Sequence, residues 1–145
     1  MLLQQSLDQS NCYLSRKIRL FTTEHIPTRA APQLISSLTK VAKLYSRGGF
    51  IVRVILMDME FEKVADDFDL IQVNTTAARE HVGEIERGIR VAKERARAVV
   101  STLPYDLLHK QLVVHLIYFV VTWLNSFPAA QGISEKLSPR EIVTQ

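Results

Sequence analysis

Apolar residues keep several rhythms along this chain, and the changes between them mark out its elements. "KIRLFTT", Lys17 to Thr23, alternates as a strand does, and the preceding "NCYL" reads as the end of a partner strand turning through Ser15 and Arg16. Pro27 closes that segment. From Ala31 to Tyr45 the spacing changes: Leu34, Leu38, Val41 and Tyr45 recur at four, three and four, which predicts an amphipathic helix stopped by "RGG" at 47 to 49. "FIVRVILM", Phe50 to Met57, is β-branched, almost continuously apolar and short, the pattern of a strand buried on both faces of a sheet. It ends at Asp58. A short polar helix over "EFEKVADDF" and a short strand over "DLIQVN", 69 to 74, continue the alternation of strands and helices.

The second half is helical. One helix runs through "REHVGEIERGIRVAKERAR", Arg79 to Arg97, and stops near Pro104; another runs from about Leu107 to Phe127 and is stopped by Pro128. A last turn, "SPREIV", carries a start signal: Ser138 caps, Pro139 suits the first helical position, and Glu141 completes a capping box. In the first of these helices Val82, Ile85, Ile89, Ala92, Ala96, Val99 and Leu103 alternate spacings of three and four, a heptad seam. Such a seam ordinarily packs on its own domain or forms a short coiled coil.

Charge changes the picture more by distribution than by total. Lys and Arg exceed Asp and Glu by only 18 to 15 in 145 residues. Residues 1 to 50 hold seven basic and two acidic side chains, residues 51 to 78 two and six, and residues 79 to 100 six and four. An acidic middle therefore sits between basic flanks. Beside the seam, Glu86, Arg90, Lys93 and Arg97 fall at four, three and four, so an acid heads a basic stripe. The ordinary account is a solvated face with a Glu86 to Arg90 pair worth about 0.2–0.5 kcal/mol. The functional account has the cations following phosphates and the carboxylate near the helix start binding a metal. Gly83 and Gly88 each cost about 1 kcal/mol against alanine in a helix and ask for a reason. If Gly83 marks a loop entering the helix, Glu86 lies in the first turn, where the dipole favours it. Asp58, at the carboxyl end of the buried strand, stands where open α/β sheets bind ligands.

These residues resemble the integrase catalytic core of copia-type retrotransposons, a DDE-type polynucleotidyl transferase with an RNase H-like fold. "HVGEIERGIR" is similar to that family's stretch around its last catalytic glutamate, placing Gly83 at the glycine, Glu86 at the metal-binding glutamate, and Arg87 and Arg90 at the two arginines. "LMDMEF" looks like the strand end bearing the second catalytic aspartate, here Asp58, followed by Glu60 and Phe61. "FVVTWLNSFP" and "SPREIV" look like the long helix and closing turn. The likeness covers about Ser15 to Val143, leaving 1–14 unmatched and 15–145 as a partial core.

The resemblance implies an α/β fold, an RNase H-like mixed sheet flanked by helices, whose first core strand falls upstream of "SRKIRLFTTE". That strand carries the family's first aspartate, and Asp8 is no match for it, so a truncated or catalytically impaired copy is expected, with an exposed sheet edge. Asp58 and Glu86, with 27 residues between them, stand closer than the family's usual spacing. What is implied further is DNA integration, with Asp58 and Glu86 as catalytic ligands of Mg²⁺ or Mn²⁺, and Arg87, Arg90, Lys93 and Arg97 on DNA of the element ends and target. The expected setting is intracellular, the nucleus for a eukaryotic integrase. The rival expectation is a noncatalytic DNA-binding or helical interaction module, with a homo-oligomer formed through the Val82 to Leu103 seam.

Other candidates carry less. His81 and Glu84 lie three apart without a second histidine at ligand spacing. His109 and His115 do not share a helix face, and His115 is expected in the core. Asp66, Asp67 and Asp69 lack the glycine and glutamate of a calcium loop. Cys12, the single cysteine, has no evident base and excludes an internal disulfide. Tyr118, Phe119 and Trp123 are expected as core. The opening residues do not read as a secretory signal. "LVVHLIYFVVTWL", Leu112 to Leu124, is shorter than the roughly 20 residues needed to cross a bilayer, so no membrane partner is expected.

Overall fold

A computed structural model describes residues 10–56, 72–74, 78–105 and 107–145, with backbone alone for 72–74 and 78–82. The chain is α/β. Strand β1 (Ser10–Leu14) and strand β2 (Phe21–His25) form an antiparallel hairpin in which Leu14 faces Phe21 and Ser10 faces His25. Helix α1 (Ala31–Arg47) follows, then β3 (Val54–Leu56) and β4 (Gln72–Asn74), which pair in parallel. Helices α2 (Ala78–Ser101), α3 (Lys110–Leu124) and α4 (Pro139–Thr144) complete the order.

The hairpin turn begins where the sequence places it, but the second strand starts four residues later than Lys17. Ser15 closes the loop by donating its N–H to the Leu20 carbonyl at 3.0 Å and accepting from the Arg19 N–H at 2.9 Å. Arg19 is left-handed there, φ 62, and is tied across the molecule by an ion pair to Glu84 at 3.3 Å. Residues 17–20 are thus used up in the turn, and alternation alone does not separate a tight loop from a strand.

Two departures concern the sheet. The described strands make two separate pairs, β1–β2 and β3–β4, rather than one mixed sheet. Among the described residues of the apolar run Phe50 to Met57, three form strand, and the run is not buried on both faces: Ile51 is 81% exposed and Val54 50%. Phe50 and Val52 instead pack beside Ile18, Tyr45 and Val143. β-branched runs fit any pleated surface, and composition alone does not say how many neighbours cover it. The short helix expected over "EFEKVADDF", and residues 69–71 of the expected last strand, lie outside the described residues.

The main core joins the hairpin to the two long helices. Phe21, Ala92, Ala96, Val113, Ile117, Val120 and Val121 are buried together, with Cys12, Leu14, Ile85 and Ile89 packed beside them. The heptad seam therefore turns inward, toward α3 and the hairpin, with Ala92 2% and Ala96 1% exposed. Gly88 has its reason here, because a Cβ on it would come within 3.1 Å of the Phe21 ring. Gly83 meets nothing within 4 Å.

A second cluster seats α1 on α4. The capping box of α4 forms as its sequence predicts: Ser138 accepts from the Glu141 N–H, and the Glu141 carboxylate accepts from the Ser138 N–H at 2.7 Å. Those hydrogen bonds hold the Glu141 carboxyl below the usual carboxylate range. Gly48, ending α1, lies so close to α4 that a Cβ would sit 2.5 Å from the Val143 carbonyl oxygen. Gly48→Ala is expected to destabilise the fold by roughly 1–3 kcal/mol through this overpacking. Urea unfolding of the variant checks it; a midpoint equal to wild type would show that α1 and α4 do not pack at that distance.

Candidate nucleic-acid interface

The site is built on α2, whose inward face is fixed and whose outward face is charged. Helical periodicity puts Lys93 about a quarter-turn, and Arg90 and Arg97 about a third of a turn or more, from the buried Ala92 and Ala96. Glu86, Arg87, Arg90 and Arg97 are exposed and Lys93 is half-buried. No ion pair among the described residues involves any of these five. The Glu86 to Arg90 pair that the spacing allows is therefore not formed, and the stripe's cations remain available.

Other charges on α2 are already used. Glu84 holds Arg19 at 3.3 Å and Arg16 at 4.0 Å, which pins the helix to the hairpin turn rather than to His81. The Arg95 guanidinium stacks 5.3 Å from the centre of the Trp123 ring on α3. The charges of α2 thus separate into Glu84 and Arg95, with structural partners on one side, and an arc of unpaired cations on the other.

Glu86 is not in a first turn. The helix begins at Ala78, so Glu86 lies two turns in, on the order of 12 Å from the helix start, beyond the reach of the terminal dipole. Gly83 is helical and marks no entering loop.

The second candidate acid, Asp58, lies outside the described residues, as do Asp8, Glu60, Phe61, Asp66, Asp67 and Asp69. Among the described residues no group of three His, Cys, Asp or Glu comes together to hold a metal. Glu86 alone does not make a divalent centre, since such an ion takes several oxygen ligands.

The chain matches no known protein family model, no curated protein and no solved structure. Its function rests on its own residues.

The remaining expectations divide. Cys12 is half-buried, its thiol pushed up by burial, against opposing effects of a Thr23 hydrogen bond and of the Lys93 charge, so it stays protonated and unreactive at neutral pH. His109 caps α3, its Nδ1 accepting from the Gln111 N–H. His115, expected in the core, is exposed, as are Phe119 at 59% and Trp123 at 41%. Helix α3 is apolar on all sides, and hydropathy gave no means of telling which side faces the core. Among the described residues no helix is long and apolar enough to cross a membrane.

Asn125 was not singled out by sequence pattern, yet it joins three elements. Its Oδ1 accepts from the Phe21 N–H at 2.9 Å and its Nδ2 donates to the Phe21 carbonyl at 2.6 Å. Its own carbonyl accepts from the Arg140 N–H at 3.1 Å. The only local signal is a polar residue ending a long apolar run.

Proposed function

We propose that the chain binds DNA through the outer arc of α2, as part of an integrase core with an RNase H-like sheet, of the kind found in copia-type retrotransposons. The observation that carries the reading is the arc of Arg87, Arg90, Lys93 and Arg97, unpaired among the described residues, on a helix whose other side is locked into the core. From Arg87 to Arg97 the helix rises about 15 Å, the span of roughly four phosphates on one strand. Cations held on a rigid helix need little ordering when they meet a phosphate backbone, so their attraction is not spent on conformational entropy. A coiled-coil role for the same helix is less well supported, because Ala92 and Ala96 of the seam are already covered within this chain.

Glu86 heads the stripe and, with Asp58, is proposed to serve the chemistry of integration; Mg²⁺ or Mn²⁺ would supply charge neutralisation at the phosphodiester. What the chain's own residues contribute is placement: the arginines and lysine set the duplex along α2, and Glu86 stands beside it at the amino-terminal end of the arc.

Salt dependence tests the binding. Four phosphate contacts predict a slope of log K on log salt of about −3.6, and Arg90→Ala with Lys93→Ala together should remove about half of it. Anisotropy titrations of a labelled duplex between low and moderate salt read this directly. An unchanged slope in the double variant would place DNA elsewhere or nowhere. Nicking or strand transfer that depends on Mg²⁺ or Mn²⁺ and is lost in both Asp58→Asn and Glu86→Gln would carry the reading from binding to chemistry. Binding that stays intact without any nicking would leave a DNA-binding module.

A further inference from the structure

Among the described residues, the β2 edge of the hairpin meets side chains of α3 and its C-cap, while on β1 the main chain of Cys12 and Leu14 meets none. In an antiparallel ladder, successive residues turn their main-chain groups alternately toward and away from the partner strand. On β2 the outward groups are those of Phe21, Thr23 and His25. Asn125 takes both the N–H and the carbonyl of Phe21, and the Tyr118 hydroxyl accepts from the His25 N–H at 3.0 Å. Side chains of α3 and its C-cap thus meet that edge at Phe21 and His25. On β1, Leu14 and Cys12, opposite Phe21 and Thr23, turn their N–H and C=O to the far side. Among the described residues no strand lies there and no hydrogen bond reaches those groups.

Nothing in β1 discourages a partner. Edge strands ordinarily carry lysine, proline, a bulge or an inward charge, whereas this one reads Ser-Asn-Cys-Tyr-Leu. Both of its faces are covered already. Cys12 and Leu14 pack with Ile85 and Ile89 of α2, and the Tyr13 hydroxyl bonds to Ser37 of α1 at 2.8 Å. What is left open is the edge itself, with a helix on either side.

Charge says what fits it. Lys93 follows Ala92, which is buried in the cluster that Cys12 packs against, and it has no ion-pair partner among the described residues. Arg90 and Arg97 stand three and four residues away on the same side of α2. A strand hydrogen-bonded to Cys12 and Leu14 turns every second side chain toward α2, in step with Cys12, and so toward those cations.

We propose that the edge of β1 at Cys12 and Leu14 docks an extended acidic peptide segment, with a carboxylate at alternate positions, as an added strand beside Lys93. Main-chain hydrogen bonds would supply affinity and the alternate carboxylates specificity. The inference shares Lys93, Arg90 and Arg97 with the DNA reading but not the edge's main chain, so the effect of methylating the peptide's amides tells the two apart.

The test uses the whole chain and a labelled, capped nonapeptide alternating aspartate and valine, followed by fluorescence anisotropy. Saturable binding is expected, weakened about tenfold or more by methylation of the amides on the edge-facing side, which deletes hydrogen bonds worth about 1 kcal/mol each. A lysine-for-aspartate peptide should bind no better than background, and Lys93→Glu should weaken the acidic peptide. Amide exchange should slow at Cys12 and Leu14 on binding. Equal affinity of the methylated peptide, or no new protection at Cys12 and Leu14, would overturn the proposal. So would protection of those amides before any peptide is added, whether by a second copy or by another part of this chain.

Discussion

Asn125→Ala is expected to lower the stability of the fold by about 2–4 kcal/mol, because it strands two buried main-chain groups at once. Asn125 is 8% exposed, and Phe21, whose N–H and carbonyl it satisfies, is 6% exposed. An amide matches a peptide group in having one donor and one acceptor side by side, so Asn125 acts toward β2 as a short piece of neighbouring strand. Alanine removes both partners and leaves both groups without water. Urea unfolding should show a lower midpoint with an unchanged slope. Asn125→Asp keeps the acceptor for the Phe21 N–H and sets a carboxylate against the Phe21 carbonyl. That carboxyl is buried and one of its oxygens faces a carbonyl in place of a donor, so its folded pKa rises above the unfolded value. The variant's stability is then greatest below the unfolded pKa and falls as pH rises through the folded one, and its deficit against wild type should be smaller at pH 4 than at pH 7. A loss under about 1 kcal/mol in Asn125→Ala would mean that water reaches Phe21, and the β2 edge would then not be closed.

What the sequence makes legible is what is local. The α1 periodicity from Leu34 to Tyr45, the Ser138 to Glu141 capping box and the inward seam of α2 all rest on residues three or four apart, and each forms as its spacing predicts. What the sequence hides depends on distant partners. Asn125 and Phe21 are 104 residues apart, and no local pattern joins them. Gly88 looks like a flaw in a helix until Phe21 is seen against it. Apolar runs mislead for a related reason: Val54 and Trp123 have side chains suited to burial, but whether a layer covers them depends on the rest of the fold. The site shows the same split. The order of Arg87, Arg90, Lys93 and Arg97 along one arc is a matter of spacing, whereas the claims on Glu84 by Arg19 and on Arg95 by Trp123 are tertiary. The Trp123 contact sets Arg95 apart from Arg87, Arg90, Lys93 and Arg97, for which no partner is formed among the described residues.

The two faces of α2 should separate cleanly under mutation, which bears on whether the stripe is a binding surface or only solvation. Ala92→Leu combined with Ala96→Leu inserts several carbons where the helix touches α3 and the hairpin, at positions 2% and 1% exposed. Overpacking of this sort costs roughly 1–3 kcal/mol per site, and neighbours one turn apart reinforce each other, so at least about 2 kcal/mol of stability should be lost. Small residues at this seam let α2 approach the core closely, and the leucines would lift it and the arc it carries. The counterpart is Arg90→Gln with Arg97→Gln on the outer face. No ion pair among the described residues is broken there, so stability should stay within about 0.5 kcal/mol of wild type. DNA affinity should fall nonetheless, and the salt slope should drop by about 2. Stability loss from the glutamines without any change in DNA binding would assign the stripe to the fold and remove the reason for reading α2 as a nucleic-acid surface. Loss of DNA binding in a fully stable double glutamine variant would show that the arginines have been kept off the core's ion pairs for a ligand.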